Sequence, residues 1–289
     1  MTISNKDRAG ILVEALPYIK KYTGKIVVIK YGGNAMTSEQ LKHSVMSDLI
    51  LLQLVGVKVV LVHGGGPEIT DMLGRVGLES KFVNGLRVTD AESMEIVQMV
   101  LAGKVNKSLV NLIECKGGKA MGLSGIDGHM LTAKVKNPDL GYVGTITGVN
   151  VAPILDVLEK GYIPVISTLG CDQDGKVFNV NADTAAAKIA GALSAESLIT
   201  LTDISGILRD KNDPASLISH IEVEEAAALI ADGIVSDGMI PKVECCVNAI
   251  HWGVQKVFII DGRIEHSILI ETLTDEGAGT MVVEKRKDK

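Results

Sequence analysis

The run Ile26-Val27-Val28-Ile29 passes directly into Lys30-Tyr31-Gly32-Gly33-Asn34, and the run 57–62 (VKVVLV) passes into His63-Gly64-Gly65-Gly66-Pro67. Short, continuous apolar runs of this kind fit strands buried on both faces of a parallel sheet. Similar runs recur at 163–166, 198–201 and 257–260. Helical patterns lie between them. In 39–55, Leu41, Val45, Leu49 and Leu52 form one apolar stripe, and Gly56 supplies a stop. The segments 93–112, 181–193, 223–231 and 241–252 follow the same period. This alternation predicts an α/β fold, with a mainly parallel sheet sandwiched by helices. The segment 131–149 breaks the alternation. LTAKVK, the turn Asn137-Pro138-Asp139 and the stretch 144–148 (GTITG) predict one or more β-hairpins, either a flap over a ligand or a decoration.

The chain has 289 residues, enough for one large α/β domain or two lobes. Its 29 Lys and Arg stand against 35 Asp and Glu, a net charge of −6. An acidic chain lacks the basic footprint that nucleic acids require, and 3% aromatic residues offer few platforms for stacked bases. There is no basic n-region leading into an apolar run at the start, and no stretch of about 18 apolar residues. The four cysteines, Cys115, Cys171, Cys245 and Cys246, form no C-x-x-C pair and fit no zinc spacing. The expectation is four reduced thiols in a cytoplasmic protein, with no membrane, nucleic-acid or metal partner.

Chemistry concentrates at three places. The first two are the glycine loops that follow the opening strands. Glycines at the carboxyl ends of parallel strands let backbone N–H groups approach an anion. Pro67 suits the first position of a helix, whose N-terminus favours phosphate or carboxylate. Either loop alone is equally a tight strand-to-helix turn. Together, with Lys30 at one strand exit, they favour an anionic ligand. The third place is Phe178-Asn179-Val180-Asn181-Ala182-Asp183. An extended stretch points Asn179 and Asn181 the same way, and Asp183 opens a helix as a cap, a dipole partner or a functional carboxylate. Lys242, just inside another helix start, opposes the helix dipole and calls for a bound anion or a solvated position. His63 is a general base or, more commonly for such a site, a partner of the backbone.

The segments VVIKYGGNAM, VLVHGGGPEI, NGLRVTD, VFNVNADTAA, LTDISGIL and SDGMIPK, in this order, closely resemble the acetylglutamate kinases of the amino-acid kinase family. The resemblance runs over essentially the whole chain. It implies a three-layer αβα sandwich with a β-hairpin insertion and an N-terminal helix. The implied lobes are 25–195, binding N-acetyl-L-glutamate, and 196–289, binding the nucleotide and carrying an arginine-site tail. The implied reaction phosphorylates the side-chain carboxylate of N-acetyl-L-glutamate with ATP, Mg²⁺ arriving with the nucleotide, as the second step of arginine biosynthesis. By the same resemblance, Lys30 and Lys242 stabilise the transferring phosphoryl group, and Asp183 orients both. Gly33 and Gly65 supply backbone donors to it. Gly65, Gly66, Arg87 and Asn179 bind the acceptor. Thr202, Asp203, Gly206, Gly238 and Met239 lie on the nucleotide side. Two other readings stay open: a sibling kinase with aspartate, glutamate, carbamate or UMP as acceptor, and a catalytically silent arginine sensor. NGLRVTD and FNVNAD favour the first reading over the siblings, and intact Lys30, Asp183 and Lys242 argue against a silent sensor.

The segment 1–24 precedes the first strand. In 8–22, Ile11, Leu12, Ala15, Leu16 and Ile19 make an apolar helical stripe, with a kink expected at Pro17. The stripe needs burial on its own subunit or on a counterpart. The extension resembles that of arginine-inhibited acetylglutamate kinases, in which this helix interlaces with its counterpart and joins three dimers into a hexamer. The resemblance implies an L-arginine site lined by Tyr18, His266, Glu271 and Gly277.

Overall fold

The computed structural model describes residues 4–36 and 38–285. Its central sheet has eight strands: β1 (Ile26–Tyr31), β2 (Lys58–His63), β3 (Ala120–Ser124), β4 (Ile163–Ser167), β5 (Ser197–Thr202), β6 (His220–Glu222), β7 (Lys256–Asp261) and β8 (Gly279–Val283). Their spatial order is β6-β8-β7-β5-β1-β2-β4-β3. Six run parallel, while β8 pairs antiparallel with β7 and parallel with β6, so β6 and β8 point the other way. The apolar runs at 26–29, 57–62, 163–166, 198–201 and 257–260 are thus β1, β2, β4, β5 and β7. The remaining three strands lack a long β-branched run, which hid them from a pattern search.

The alternation of side chains along β1 explains the layers. Val27, Ile29 and Tyr31 face one core, and Val28 faces the other. Against the first core lie the helices Glu39–Leu54, Gly66–Arg75 and Ser267–Leu273, together with the long segment 91–115. Against the second lie Ala152–Glu159, Ala182–Ala192, Val223–Ala231 and Ile240–His251. This is the three-layer sandwich expected. The segment 93–112 is more than one helix. Ala91–Gln98 and Asn106–Cys115 flank a π-helical turn, Met99–Val105.

The hairpin expected in 131–149 is formed by Leu131–Val135 and Val143–Val149. It is more than a flap, because Leu169–Cys171 and Val177–Val180 close it into a small four-stranded barrel. A second hairpin, Phe82–Val83 with Leu86–Arg87, turns through Asn84-Gly85. Both turn residues have positive φ, 50° and 74°, the conformation that makes Asn-Gly a strong hairpin signal.

The N-terminal stripe divides. Leu16–Tyr22 docks on its own subunit through Tyr22, with Tyr18 and Ile19 packed on the first core. Asn5–Glu14 buries nothing, and its Leu12 is 72% exposed. The break falls at Ala15, just ahead of the expected Pro17, which sits in the first turn of the second helix, where its missing N–H costs nothing. Among the described residues no helix is long and apolar enough to cross a membrane.

Helices Ala182–Ala192 and Ile240–His251 are held close by Gly191, where a Cβ would stand 2.6 Å from Trp252 Cβ and 3.0 Å from its carbonyl oxygen. Ala is the better helix former by about 1 kcal/mol, but overpacking against rigid atoms costs about 1–3 kcal/mol. Gly191→Ala is therefore expected to lower the unfolding midpoint in urea. A raised midpoint would show that the two helices can separate freely.

Candidate active site

β1 and β2 end side by side, with Tyr31 and His63 as register partners. The two glycine loops therefore leave the same edge of the sheet, the edge where parallel sheets bind ligands. Lys30, one residue before the end of β1, is buried. Across from it, the helix Ala182–Ala192 begins with Asn181 as N-cap, whose side chain accepts the Thr184 N–H at 3.0 Å. Asn181 does the capping, so the carboxylate of Asp183 in the first turn is free for other partners. Lys30 Nζ lies 2.9 Å from Asp183 Oδ1, and Lys242 Nζ lies 3.7 Å from Oδ2. The contact to Oδ1 is an ion pair without hydrogen-bond alignment. Burial alone would push the Asp183 carboxyl up, but the two ammonium groups outweigh it and hold the pKa below its ordinary value. Asp183 is thus an ionised group shared by two cations.

Three neighbouring cavities lie in this region, two of them lined in part by Asp183 or Lys242. The smallest, about 150 Å³, is lined by Gly64, Gly65, Gly66, Arg87, Asn179 and Asn181, among others. Arg87 is fixed in its wall. One terminal nitrogen donates to Gly66 O at 2.9 Å and to Thr70 Oγ1 at 2.8 Å, the other donates to Ser80 Oγ, and the guanidinium stacks on Phe82. Asn179 donates to Thr89 Oγ1 at 3.2 Å. The second cavity, about 590 Å³, is lined by Asp203, Gly206, Gly238, Met239, Lys242 and Arg263, among others. Between the two lies a cleft that includes Asp183 and Lys242. Lys242 faces both the cleft and the larger cavity. The cleft that carries Asp183 and Lys242 thus lies between two compartments.

A model of the amino acid kinase family matches residues 25–261. The chain belongs to the amino acid kinase family. Among the family's members, an acetylglutamate kinase of Brachyspira hyodysenteriae is 57% identical over 96% of this chain and 98% of that protein. One of Moorella thermoacetica is 53% identical over 98% and 99%. The N-acetylglutamate synthase of Neisseria gonorrhoeae, solved with coenzyme A and N-acetyl-glutamate, superposes with a TM-score of 0.84 at 28% identity. The match covers 96% of this chain but only 64% of the synthase. Carbamate kinase from Giardia lamblia, bound to AMP-PNP, shares the fold at a TM-score of 0.64 and 17% identity, over 91% and 99% of the two chains. The chain is a kinase of this family.

Within the family frame, the structure gathers the expected acceptor-side residues Gly65, Gly66, Arg87 and Asn179 around one cavity. It places Asp203, Gly206, Gly238 and Met239 around another. Thr202 does not line the larger cavity; its hydroxyl accepts the Ile204 N–H at 3.3 Å and shapes the loop beneath it. Gly33 opens the turn after β1 with a φ of 67°. Residues not anticipated also line these spaces. Arg263 is locked by Asp261 through contacts of 2.9 and 2.8 Å, and Lys136 and Asn84 border the cleft. The Asn-Gly pair at 84–85 was the available signal for the hairpin that carries Arg87. Cys245 also borders the cleft, but burial, with Asp183 adding to it, pushes its thiol up to about 12, so it stays protonated. All four cysteines are free.

Of the expected arginine-site residues, Glu271 and Gly277 lie together, a Cβ at Gly277 standing 3.7 Å from Glu271 Oε2. Helix Ser267–Leu273 contacts both Leu16–Tyr22 and Glu39–Leu54. Glu271 Oε2 accepts the Ala278 N–H at 2.6 Å, next to Gly277. His266 pairs with Asp48 at 2.6 Å, a partner no motif indicated. Burial pushes the Asp48 carboxyl up to about 6 against the pull of His266.

His63 is no general base. Nδ1–H donates to Gly64 O at 2.8 Å, and Nε2 accepts from Asn106 Nδ2 at 3.1 Å. The tautomer follows from the partners, since a carbonyl only accepts and an amide N–H only donates. Burial pulls the His63 pKa down to about 4 from 6.5. Between those values the unfolded chain binds a proton that the native chain refuses. The stabilisation is complete above pH 6.5 and is lost as pH falls toward 4. In His63→Gln this contribution is absent, so the wild-type urea midpoint minus that of the variant is expected to grow from pH 4 to pH 6.5, and a constant difference would remove His63 from the pH dependence. Asp48 contributes with the opposite sign in both proteins and cancels in the comparison.

Proposed function

We propose that this protein transfers the terminal phosphoryl group of MgATP to the side-chain carboxylate of N-acetyl-L-glutamate. The product is N-acetyl-L-glutamyl 5-phosphate, formed as the second step of arginine biosynthesis. The observation that carries the proposal is the Lys30–Asp183–Lys242 triad, whose Asp183 and Lys242 line the cleft between the acceptor-sized cavity and the larger cavity. The acceptor assignment is supported by the acetylglutamate kinases that match the chain at more than half identity over nearly its whole length.

The chemistry fits these groups. A carboxylate nucleophile is already ionised near neutral pH, so no base is required, and His63 is not placed to act as one. The obstacle is repulsion between the acceptor carboxylate and the triphosphate. Lys30 and Lys242, with the backbone N–H groups of Gly33 and Gly65, offset the charge on the transferring group. Asp183 keeps the two ammonium groups at a fixed spacing. Gly65, Gly66, Arg87 and Asn179 hold the acceptor, Arg87 through its planar fork. In this reading residues 25–195 form the acceptor lobe. Residues 196–289 form the nucleotide lobe, with Asp203, Gly206, Gly238 and Met239 at the nucleotide and Thr202 shaping their loop. Mg²⁺ enters as the MgATP complex. Among the described residues no group of three His, Cys, Asp or Glu is gathered to hold a metal, and Mg²⁺ held by phosphates and water needs none. Four free thiols and an ATP-consuming reaction fit the cytoplasm.

The test is acetylglutamate-dependent ADP release. Lys30→Ala and Lys242→Ala are each expected to lose about 10²–10³ in kcat with the KM for acetylglutamate little changed. Turnover near wild type in either would remove the triad from the reaction. Arg87→Lys is expected to raise that KM at least about tenfold, because an ammonium cannot reproduce the fork. An unchanged KM would reassign Arg87 to structure alone.

The proposal extends to regulation. L-Arginine would bind beside Tyr18, His266, Glu271 and Gly277, inhibit the enzyme, and favour a state whose lobes close poorly on the substrates. The exposed Ile11, Leu12 and Val13 leave the first helix without cover on its own chain. This supports its pairing with a counterpart in a hexamer built as a trimer of dimers. Full-length protein should sediment as a hexamer and lose turnover when L-arginine is added. Deleting residues 1–22 should give active dimers with weaker inhibition. A truncated protein that remains hexameric and fully arginine-sensitive would refute this role of the helix.

A further inference from the structure

Beneath the Gly64-Gly65-Gly66 loop lies a buried polar contact that the proposed reaction does not itself use. His63 and Asn106 are both buried. The Asn106 amide nitrogen donates to His63 Nε2, and also lies within hydrogen-bond distance of Val165 O at 2.8 Å and Leu123 O at 3.1 Å, so it ties the ring to two neighbouring strands. The other ring nitrogen donates to Gly64 O. Gly64 is held from its other end as well, its N–H donating to Tyr31 O at 2.9 Å. Gly65 is backed by the π-helical turn. A Cβ there would lie 2.8 Å from Leu101 Cδ2 and 3.2 Å from Val105 Cγ2.

A trans peptide unit is planar, so the carbonyl of Gly64 and the N–H of Gly65 point in opposite directions within one rigid plane. A bond that draws the Gly64 oxygen into the protein turns the Gly65 N–H out toward the ligand cavity. We infer that His63 is a positioning residue for phosphoryl transfer. Its Nδ1–H fixes the Gly64 carbonyl and thereby aims the Gly65 N–H at the anion, while Asn106 fixes the ring. The inference rests on the reading that Gly65 faces the reacting groups. Preorganised donors matter in proportion to how well they are aimed before the reaction begins, so a loosened Gly64–Gly65 plane should reduce kcat more than it weakens binding. The low pKa of His63 is consistent with this role, since the ring keeps one tautomer through the neutral range.

Two substitutions separate the two bonds. In His63→Asn, an amide nitrogen stands where Nδ1 stood and keeps the bond to Gly64 O while losing the reach to Asn106. In His63→Gln, the side chain reaches Asn106 and loses Gly64 O. Kinetics for both substrates and thermal midpoints are measured on the full-length protein. His63→Asn is expected to retain kcat within about 5-fold, and His63→Gln to lose about 10–100-fold, less than outright removal of such a donor. The KM for MgATP should hold in both. If His63→Gln turns over as fast as His63→Asn or faster, or if kcat in both simply tracks the thermal midpoint, the inference is overturned. Asn106→Ser is the second arm and leaves His63 in place. A fall in kcat with both KM values held supports the inference, and wild-type kcat at a lowered midpoint overturns it. A wild-type protein without acetylglutamate-dependent turnover would bring down the proposed reaction and this inference together. Wild-type turnover with His63→Gln equal to His63→Asn brings down the inference alone.

Discussion

Two ammonium groups are held together by one carboxylate between them. Lys30 comes from a strand, Asp183 from the first turn of one helix and Lys242 from the first turn of another. No local segment could assemble them, and much of the architecture serves their meeting. β1 lies inside the sheet with β5 on one side and β2 on the other, so Lys30 emerges where the chain's two halves adjoin. The close packing of Gly191 on Trp252 sets the spacing of the two helices that supply the other members. Asn181 takes the cap, so Asp183 is not drawn back to its own helix.

The electrostatics of the triad are unbalanced by design of the chain. One negative group faces two positive ones, so a net positive charge remains in a mostly enclosed place. Burial penalises charge, and the surplus is best relieved by an anion arriving from outside. The lysine near the start of the helix Ile240–His251 is unfavourable with respect to the helix dipole for the same reason. Both features raise the energy of the empty site relative to the filled one. A site of this kind favours a polyanion without relying on deep burial of the ligand.

Much of this was legible before any coordinates, and the limits have physical causes. Five strands announced themselves as β-branched runs, because strands buried on both faces have no polar side to display. β6 and β8 are short or mixed edge-side strands, and β3 begins Ala-Met-Gly; none carries that signature. Several of the motif residues line neighbouring cavities, yet their partners did not show in the sequence. Asp48 and His266 are separated by 218 positions, and His63 and Asn106 by 43. Periodicity reports which face a residue takes and says nothing of which distant side chain waits there. The Asn-Gly turn at 84–85 is a different case, since its signal is local and strong. The barrel around 131–180 needs two short strands from beyond the hairpin, and three or four residues are too few for a pattern.

The π-helical turn at Met99–Val105 has a consequence for how this chain can change over time. A wide turn holds one residue more than an α-helix of the same rise requires. Losing that residue would leave a regular helix, which judged alone is the easier structure to form. It would also swing everything downstream by about 100° around the axis. Asn106 would leave the ring of His63, and Leu109 and Ile113 would leave the core they now fill. Length in this segment is therefore under tighter constraint than residue identity: substitutions that keep the bulk can be absorbed, whereas an insertion or deletion of a single codon cannot.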